Sequence, residues 1–278
     1  MTDSIPGVVT DTGYINVKTQ QWRNQKLLPL DDLVVEEVPV ALVYNGISQA
    51  VMMTTPCDLE DFAVGFSLAQ NIVDNIDQIY NLQVNEQLNG YEINIDISSE
   101  KMQALKSYRR TLIGNTGCGL CGVDSLASAI RPGKQVPKAP LPNPDAIQQA
   151  VDSVNDWQRI QQLTGACHAA VWCDSNGSKV LLREDVGRHN AFDKLIGAMA
   201  LNKITSRDGF VLVSSRASYE MVHKASFLQC SNLVAVSAPT SLAIAQAVEL
   251  NINLIGFARN SKFNIYHSTE QCNKTLNN

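Results

Sequence analysis

Residues 209–238 read GFVLVSSRASYEMVHKASFLQCSNLVAVSA. The stretch opens with the apolar run GFVLV and contains a second one, NLVAV, near its end. Between them, SYEMVHKASFLQC has the length and composition of a helix. Strands without polar alternation that are separated by helices indicate a sheet covered on both faces. The stretch therefore predicts an α/β fold.

The same pattern continues on both sides of this stretch. Towards the N-terminus, HAAVWC and KVLLRE flank a turn at 174–177, which predicts a hairpin, and a helix should follow from about Arg188 to Leu201. Towards the C-terminus, TSLAIAQAVELN predicts a helix and NLIGFAR a further strand. We therefore expect an α/β core from about residue 160 to residue 270.

The first half of the chain has a different pattern. VPVALVYNGISQAVMM and IYNLQVNEQLNGYEINIDIS each contain an Asn-Gly pair, the strongest short signal for a hairpin. A helix should follow Asp58, and another should run from Ser99 to Arg110. Residues 1 to about 30 are polar and mixed, and we expect a loose leader or an edge strand there. The pattern predicts a smaller α+β region of hairpins and helices.

A proline-rich stretch separates the two halves. Residues 131–144, RPGKQVPKAPLPNP, hold five of the ten prolines, and proline fits neither a helix interior nor a central strand. We predict an N-terminal region over 1–130, a linker over 131–144 and a second domain over 145–278. A helix from about 144 to 160 should open the second domain.

Composition excludes several classes of protein. The formal charge of −5 gives no support for nucleic-acid binding, and no apolar run reaches the length of about 20 residues that a membrane span needs. The N-terminus lacks the pattern of a signal peptide. Seven cysteines, mostly scattered singly, do not form a disulfide framework, so we expect a cytoplasmic protein.

The loop TGCGLCGVDSL, residues 116–126, places Cys118 and Cys121 three apart among glycines. A structural zinc site needs four ligands, and the chain offers no second pair at zinc-binding spacing. A redox pair of the thioredoxin type normally follows a strand, which is not evident here. A sulfur relay needs a nucleophilic thiol on a mobile loop with cations nearby, which Arg109 and Arg110 could supply. Spacing alone leaves all three open.

Two polar segments lie where predicted strands meet predicted helices. Arg188 and His189 would open one helix, and a helix N-terminus with an arginine is a good anion site. Ser214, Ser215 and Arg216 follow a strand at the edge where open α/β sheets bind ligands. The alternatives are structural: Asp185 as a helix cap with Arg188 paired to Glu184, and a simple serine cap.

Six segments together resemble one known family. They are EEVPVALVYNGIS, TGCGLCGV, LTGACHAAVW, EDVGRHNAFDKLIG, VLVSSRASYEMVHKA and LIGFARNSKFNIY, in order from about residue 36 to 266. They resemble the formate dehydrogenase accessory sulfurtransferase family, FdhD/NarQ. The resemblance implies a cytidine-deaminase-like three-layer core, in which a mixed sheet carries helices on both faces.

The resemblance also implies a function. Such a protein would accept persulfide sulfur from a cysteine desulfurase and pass it to the molybdenum of bis(molybdopterin guanine dinucleotide), a bound substrate, before that cofactor enters formate dehydrogenase. Cys118 would carry the persulfide and Cys121 would assist or replace it. A homodimer is also implied. The cofactor-contacting tail maps onto Phe257, Ala258, Arg259, Asn260, Ser261 and Lys262. The chain departs from the family here, with Asn260-Ser261 and then lysine where a Pro-Gly pair and arginine are expected.

Deaminase chemistry is disfavoured by the residues at the two helix starts. Zinc deaminases need His-x-Glu at one and Pro-Cys-x-x-Cys at the next. This chain has HNA at 189–191 and RASY at 216–219 instead. We therefore expect no tightly held metal. Two alternatives stay open, namely a non-catalytic chaperone for the molybdenum cofactor and a zinc hydrolase on a deaminase scaffold.

Overall fold

The computed structural model describes residues 13–114 and 132–270. The first half contains a two-stranded ribbon, β1–β2, and a four-stranded sheet of order β4-β3-β6-β5. Its strands are β1 (Tyr14–Arg23), β2 (Lys26–Val35), β3 (Val38–Tyr44), β4 (Ile47–Thr54), β5 (Ile79–Gln87) and β6 (Gly90–Ile97). Its helices are α1 (Leu59–Ala69) and α2 (Ser99–Gly114), with a 3-10 turn at Ile76–Gln78.

Both predicted Asn-Gly hairpins are confirmed, because β3 pairs with β4 and β5 with β6, each pair antiparallel. At the first turn, Asn45 and Gly46 adopt left-handed φ values of 46° and 79°. Of the two alternatives expected for residues 1 to about 30, a loose leader or an edge strand, the structure has strands over residues 14–35, which form the β1–β2 ribbon. This hairpin turns at Asn24-Gln25 and its strands are mostly polar, so the usual Asn-Gly and alternation signals are missing.

The second half forms a six-stranded sheet of order β12-β11-β10-β9-β7-β8, in which β9, β10 and β11 run parallel. Its strands are β7 (His168–Asp174), β8 (Lys179–Asp185), β9 (Gly209–Val213), β10 (Asn232–Ala235), β11 (Asn253–Arg259) and β12 (Lys262–His267). Its helices are α3 (Pro144–Trp157), α4 (Arg159–Thr164), α5 (Arg188–Leu201), α6 (Tyr219–Phe227) and α7 (Ser241–Leu250). The antiparallel strand β12 was not predicted.

Successive residues of β9 show that both faces of this sheet are covered. Phe210 and Leu212 pack in the core beneath α3, whereas Val211 and Val213 pack in the core formed with α5, α6 and α7. Because side chains alternate along a strand, a strand buried on both faces is apolar throughout. The predicted α/β architecture with helices on both faces is confirmed. The relationship to cytidine deaminases stays a prediction.

Helices α1 and α5 join the two halves through a close crossing. A Cβ atom on Gly65 would lie 1.7 Å from the Asp193 carbonyl oxygen, and one on Gly197 would lie 1.8 Å from the Asp61 carbonyl oxygen. Only glycine permits this approach at either position. None of the described helices is long and apolar enough to cross a membrane.

The proline-rich segment packs against the second half over residues 132–143. Val136 is buried and its N–H donates to the Leu250 carbonyl at 3.1 Å. The Ser231 hydroxyl donates to the Pro137 carbonyl at 2.8 Å. The predicted division of the chain into three parts stays a prediction. The helix expected over 144–160 is two helices, because the backbone leaves the helical conformation at Gln158 (φ −87°, ψ 87°).

Candidate functional site

Most of the predicted site residues lie at one edge of the six-stranded sheet, the edge formed by the carboxyl ends of its parallel strands. The parallel strands β9, β10 and β11 all end there. Strand β7, antiparallel to β9, begins there, and His168 pairs with Asp185 at the end of β8. This topology places the starts of α5 and α6 beside His168 and Ser214. The sheet therefore brings together residues that lie far apart in the sequence.

A pocket of about 410 Å³ opens at this edge, on the α3 side of the sheet. That volume suits a ligand of nucleotide-fragment size. Its wall is both polar and apolar and includes Gln158, Gln161, Cys167, His168, Ser214 and Val236. Of the predicted residues, Ser214 lies in its wall.

Two glutamines lie in the pocket wall. Gln158 is 2% exposed and lines the pocket. Neighbouring Gln161 accepts from the Cys167 N–H at 2.7 Å through its side-chain oxygen. A glutamine amide is both a donor and an acceptor. The pocket wall therefore includes amide groups of the kind that can bond to a polar ligand.

Arg188 stands at the start of α5 with a buried, unbonded Nε as judged from the described residues. It does not take the structural role considered from the sequence. The Glu184 carboxylate instead accepts from the N–H groups of Ile160 and Gln161, at 2.9 and 2.8 Å, and so caps α4. The Arg188 guanidinium therefore has, among the residues that the structure describes, one unbonded donor at a helix N-terminus.

Asp185 fixes the backbone that presents Arg188. Its buried carboxylate accepts from the Gly187 N–H at 2.8 Å and pairs with Lys194 at 2.7 Å. It also accepts from the Thr55 N–H at 3.0 Å and from the Thr54 hydroxyl. One carboxylate thus ties the start of α5 to the loop after β4.

The start of α6 lies next to the start of α5. The His189 imidazole bonds to the Glu220 carboxylate in the first turn of α6, and this hydrogen bond lowers the pKa of the Glu220 carboxyl. Ser218, the residue before α6, has a buried hydroxyl with no partner in the described part of the chain. Two adjacent helix N-termini therefore each hold a polar atom, Arg188 Nε and Ser218 Oγ, that has no partner within 13–114 and 132–270.

The predicted residues after β9 have different environments. The Ser214 hydroxyl accepts from the Ala169 N–H at 2.9 Å and retains its own hydrogen for a ligand. Ser215 is buried, and its hydroxyl donates to the Arg216 carbonyl at 3.1 Å. The hydrogen of this hydroxyl is therefore already bonded within the protein. The Arg216 side chain is exposed.

The tail segment lies at the same edge, at the end of β11, which β10 separates from β9. The Phe257 N–H donates to the Ser237 carbonyl at 3.0 Å, and Phe257 has a left-handed φ of 53° at an irregularity in the β11–β12 pairing. Asn260 and Ser261 form the turn, between the exposed, paired Arg259 and Lys262. Ala258 is 1% exposed, so its side chain belongs to the core.

The described cysteines are poor nucleophiles at neutral pH. Burial raises the pKa of Cys167 and Cys173 to about 12 and that of Cys230 to about 11. Burial also raises the pKa of Cys57, although Lys194 opposes the shift. A thiol must ionise to attack. Cys118 and Cys121, the predicted sulfur-carrying pair, lie outside the described residues.

The remaining electrostatic features concern His168 and metals. Burial lowers the pKa of His168, and the nearby Arg188 cation lowers it further. The imidazole is therefore neutral at pH 7. Within 13–114 and 132–270, no three His, Cys, Asp or Glu side chains converge as a metal site would require.

Gln158, Gln161 and Ser218 were not anticipated from the sequence. The first two lie where a predicted continuous helix divides, and no motif marks them. Ser218 was read only as part of a helix start. A serine before a helical pattern usually caps that helix with its hydroxyl, and the Ser218 hydroxyl makes no such cap bond.

The sequence matches the profile of the FdhD/NarQ family over residues 35–273. A protein from Cupriavidus necator named sulfur carrier protein FdhD is 48% identical over 246 residues, covering 88% of this chain and 85% of its own. A protein of the same name from Bordetella petrii is 48% identical over 244 residues, covering 86% of each chain.

A solved structure supports the fold. The crystal structure assigned as a formate dehydrogenase accessory protein from Desulfotalea psychrophila superposes with a TM-score of 0.73 at 22% identity. It covers 92% of this chain and 98% of its own. The family resemblance seen in the sequence is confirmed, and the chain belongs to the FdhD/NarQ family.

Proposed function

We propose that this protein is a sulfur carrier serving a formate dehydrogenase. It would accept sulfur from a cysteine desulfurase on Cys118 and pass it to a bis(molybdopterin guanine dinucleotide) cofactor held at the sheet edge. Relatives at 48% identity carry the name sulfur carrier protein FdhD. The observation that carries the cofactor half is the pair of buried polar atoms at that edge, Arg188 Nε and Ser218 Oγ, which have no partner among the described residues and lie beside the pocket that Gln158 lines.

These groups fit the nucleotide part of such a substrate. A phosphate at the starts of α5 and α6 would face two helix N-termini and the Arg188 guanidinium, all favourable to an anion. A planar base in the neighbouring pocket would meet the Gln158 amide, which can donate and accept at once. Neutral His168 and apolar Val236 complete a wall suited to an uncharged ring.

The sulfur step requires only one nucleophile of the chain. The Cys118 thiolate attacks the terminal sulfur of the donor's persulfide, the donor's sulfur–sulfur bond breaks, and the donor cysteine leaves as a thiolate. Cys118 then carries the persulfide. The cofactor would be bound at the sheet edge while Cys118 carries the persulfide. The rate of sulfur transfer would then rise mainly because the two reacting groups are held in position.

Nucleotide affinity tests the cofactor half. We expect GDP to bind the wild-type protein and Arg188→Ala to raise its Kd at least tenfold, because a phosphate would lose a charged hydrogen-bond donor. Isothermal titration calorimetry gives both constants. Arg207→Ala is the matched control, since Arg207 precedes β9 at the opposite edge of the sheet. An equal loss of GDP affinity in the two variants would contradict the assignment of Arg188 to phosphate binding.

A cellular assay separates a carrier from a chaperone. If the cysteines carry sulfur, a Cys118→Ser/Cys121→Ser variant should leave formate dehydrogenase inactive in cells lacking the native protein. Its GDP affinity should be unchanged, because the groups assigned to the nucleotide, Arg188 and Ser218 among them, are left intact. Full enzyme activity with this variant would instead favour a cofactor chaperone.

A further inference from the structure

Two side chains in the pocket wall have a hydrogen-bond polarity that the backbone fixes. Gln161 and Ser214 both line the pocket at the sheet edge. Each accepts a bond from a backbone N–H, and a backbone N–H can only donate. The kind of bond that each side chain offers to a ligand therefore follows from the bonds that the protein already makes.

The Gln161 amide is held in one orientation. Its Oε1 accepts from the Cys167 N–H at 2.7 Å, and its own backbone N–H donates to the Glu184 carboxylate at 2.8 Å. The oxygen and the NH2 group cannot exchange places, because the NH2 group would then face the Cys167 N–H, a second donor. The polar group that the Gln161 side chain offers beyond this bond is therefore a donor.

The Ser214 hydroxyl has the same polarity. Its Oγ accepts from the Ala169 N–H at 2.9 Å, so its hydrogen points away from that N–H and is again a donor. Cys167 and Ala169 are alternate residues at the start of β7, and alternate N–H groups of an extended chain point to the same side. The two donors are thus anchored about 7 Å apart on one side of the chain.

The other polar side chains of the wall fix no preference. The amides of Asn155 and Gln158 and the neutral imidazole of His168 each carry a donor and an acceptor, so each can suit either kind of ligand atom. Gln161 and Ser214 differ because the acceptor of each is already bonded. Together they favour a ligand edge with two acceptors, since a ligand donor placed there would leave donors unpaired.

We propose that Gln161 and Ser214 select the base of the nucleotide by donating to the O6 and N7 atoms of a 6-oxopurine. This inference rests on the proposed function and assigns the choice of base to these two side chains. Guanine presents two acceptors on the edge that carries N7, whereas adenine presents N7 and an amino donor there. The 2-amino group of guanine lies away from this edge. The pocket therefore accepts hypoxanthine as well as guanine and discriminates against adenine.

The diphosphates of guanosine, inosine and adenosine (GDP, IDP and ADP) test the selection, because all three carry the same phosphates. Isothermal titration calorimetry with the full-length wild-type protein measures their Kd values. We expect IDP to bind with about the Kd of GDP, because the two bases share O6 and N7. The Kd of ADP should be about tenfold higher, because its amino group leaves a donor of the pocket unpaired.

Gln161→Glu reverses the polarity at one position. The carboxylate keeps an oxygen for the Cys167 N–H and replaces the donor by an acceptor, so the ratio of the ADP Kd to the GDP Kd should fall about tenfold. Repulsion between the new charge and the phosphates would raise both constants alike and leave this ratio unchanged. Gln149→Glu adds the same charge at an exposed position of α3 and should keep the wild-type ratio.

Ser214→Ala removes the second donor and should also lower the ratio, with circular dichroism to verify folding. Equal affinity of the wild-type protein for GDP and ADP, or a wild-type ratio in Gln161→Glu, would overturn the proposal and leave the phosphate site intact. IDP that bound far more weakly than GDP would overturn it too, since the 2-amino group would then be recognised. Failure of all three nucleotides to bind would instead contradict the cofactor half of the proposed function.

Discussion

At the scale of single residues, Asp185 has the largest structural role at the site. Its carboxylate is fully buried and holds Lys194, which is also fully buried, at 2.7 Å. It also bonds the Gly187 N–H and the Asn190 amide, at 2.8 and 3.1 Å. A buried ion pair need not stabilise more than apolar packing would, but losing one partner leaves a charge without compensation. The network therefore makes the Arg188 turn dependent on one carboxylate.

Asp185→Asn should lower the free energy of unfolding by about 3 to 5 kcal/mol, because Lys194 would stay buried without its counter-ion. Urea denaturation followed by circular dichroism measures the change. The double variant Asp185→Asn/Lys194→Met should recover part of the loss, since it removes the stranded charge. A loss below about 1 kcal/mol in the single variant would show that the pair is not stabilising.

His168 should make stability depend on pH in the mildly acidic range. Burial and Arg188 hold its folded-state pKa below the ordinary value of 6.5. The unfolded chain therefore binds more protons as pH falls through that value, so stability is full above 6.5 and declines below it. His168→Gln should flatten the decline of Tm between pH 7.5 and 5.5. An unchanged profile in this variant would assign the dependence to other groups.

The sequence could identify a site residue where a local pattern surrounds it. It could not identify a site residue that reaches the site only through tertiary packing. Arg188 and Ser214 were recognisable because each lies where an apolar strand or a turn meets a helical pattern. Gln158 becomes part of the site only because the chain leaves the helix there and buries its amide. That event depends on contacts of α4 with β2 and β8, which no local pattern records.

At the scale of elements, the crossing of α1 and α5 decides how the two halves join. Gly65 and Gly197 bring the helix backbones together, and each would place a Cβ within 2 Å of a carbonyl oxygen of the other helix. Both helices were predicted from apolar periodicity, but their close approach was not. Periodicity gives the apolar face of a helix and says nothing about the distance to its neighbour.

Gly197→Ala should destabilise the protein by about 3 kcal/mol, because the helices must separate to admit one methyl group. Ala200→Gly is the control in the same helix, away from the crossing, and should cost about 1 kcal/mol through helix propensity alone. Thermal and urea unfolding compare the two. A Gly197→Ala protein as stable as the wild type would show that the crossing can relax.

At the scale of the whole molecule, the proposed function divides between two parts of the sequence. The sheet edge has the polar groups assigned to a nucleotide, and residues 116–126 contain the two thiols assigned to sulfur. The order of strands and helices in the second half could be predicted from its apolar runs. The β1–β2 ribbon could not, because its strands are mostly polar and its turn at Asn24-Gln25 has no Asn-Gly pair.

The central claim is that Cys118 accepts sulfur, and intact-mass spectrometry tests it directly. The full-length protein is incubated with a cysteine desulfurase and cysteine, and its mass is measured without reductant. The wild type should gain about 32 Da per sulfur as a persulfide, and Cys167→Ala should do the same because that thiol is buried. Cys118→Ala should gain nothing. A Cys118→Ala protein that still gained one sulfur would contradict the account.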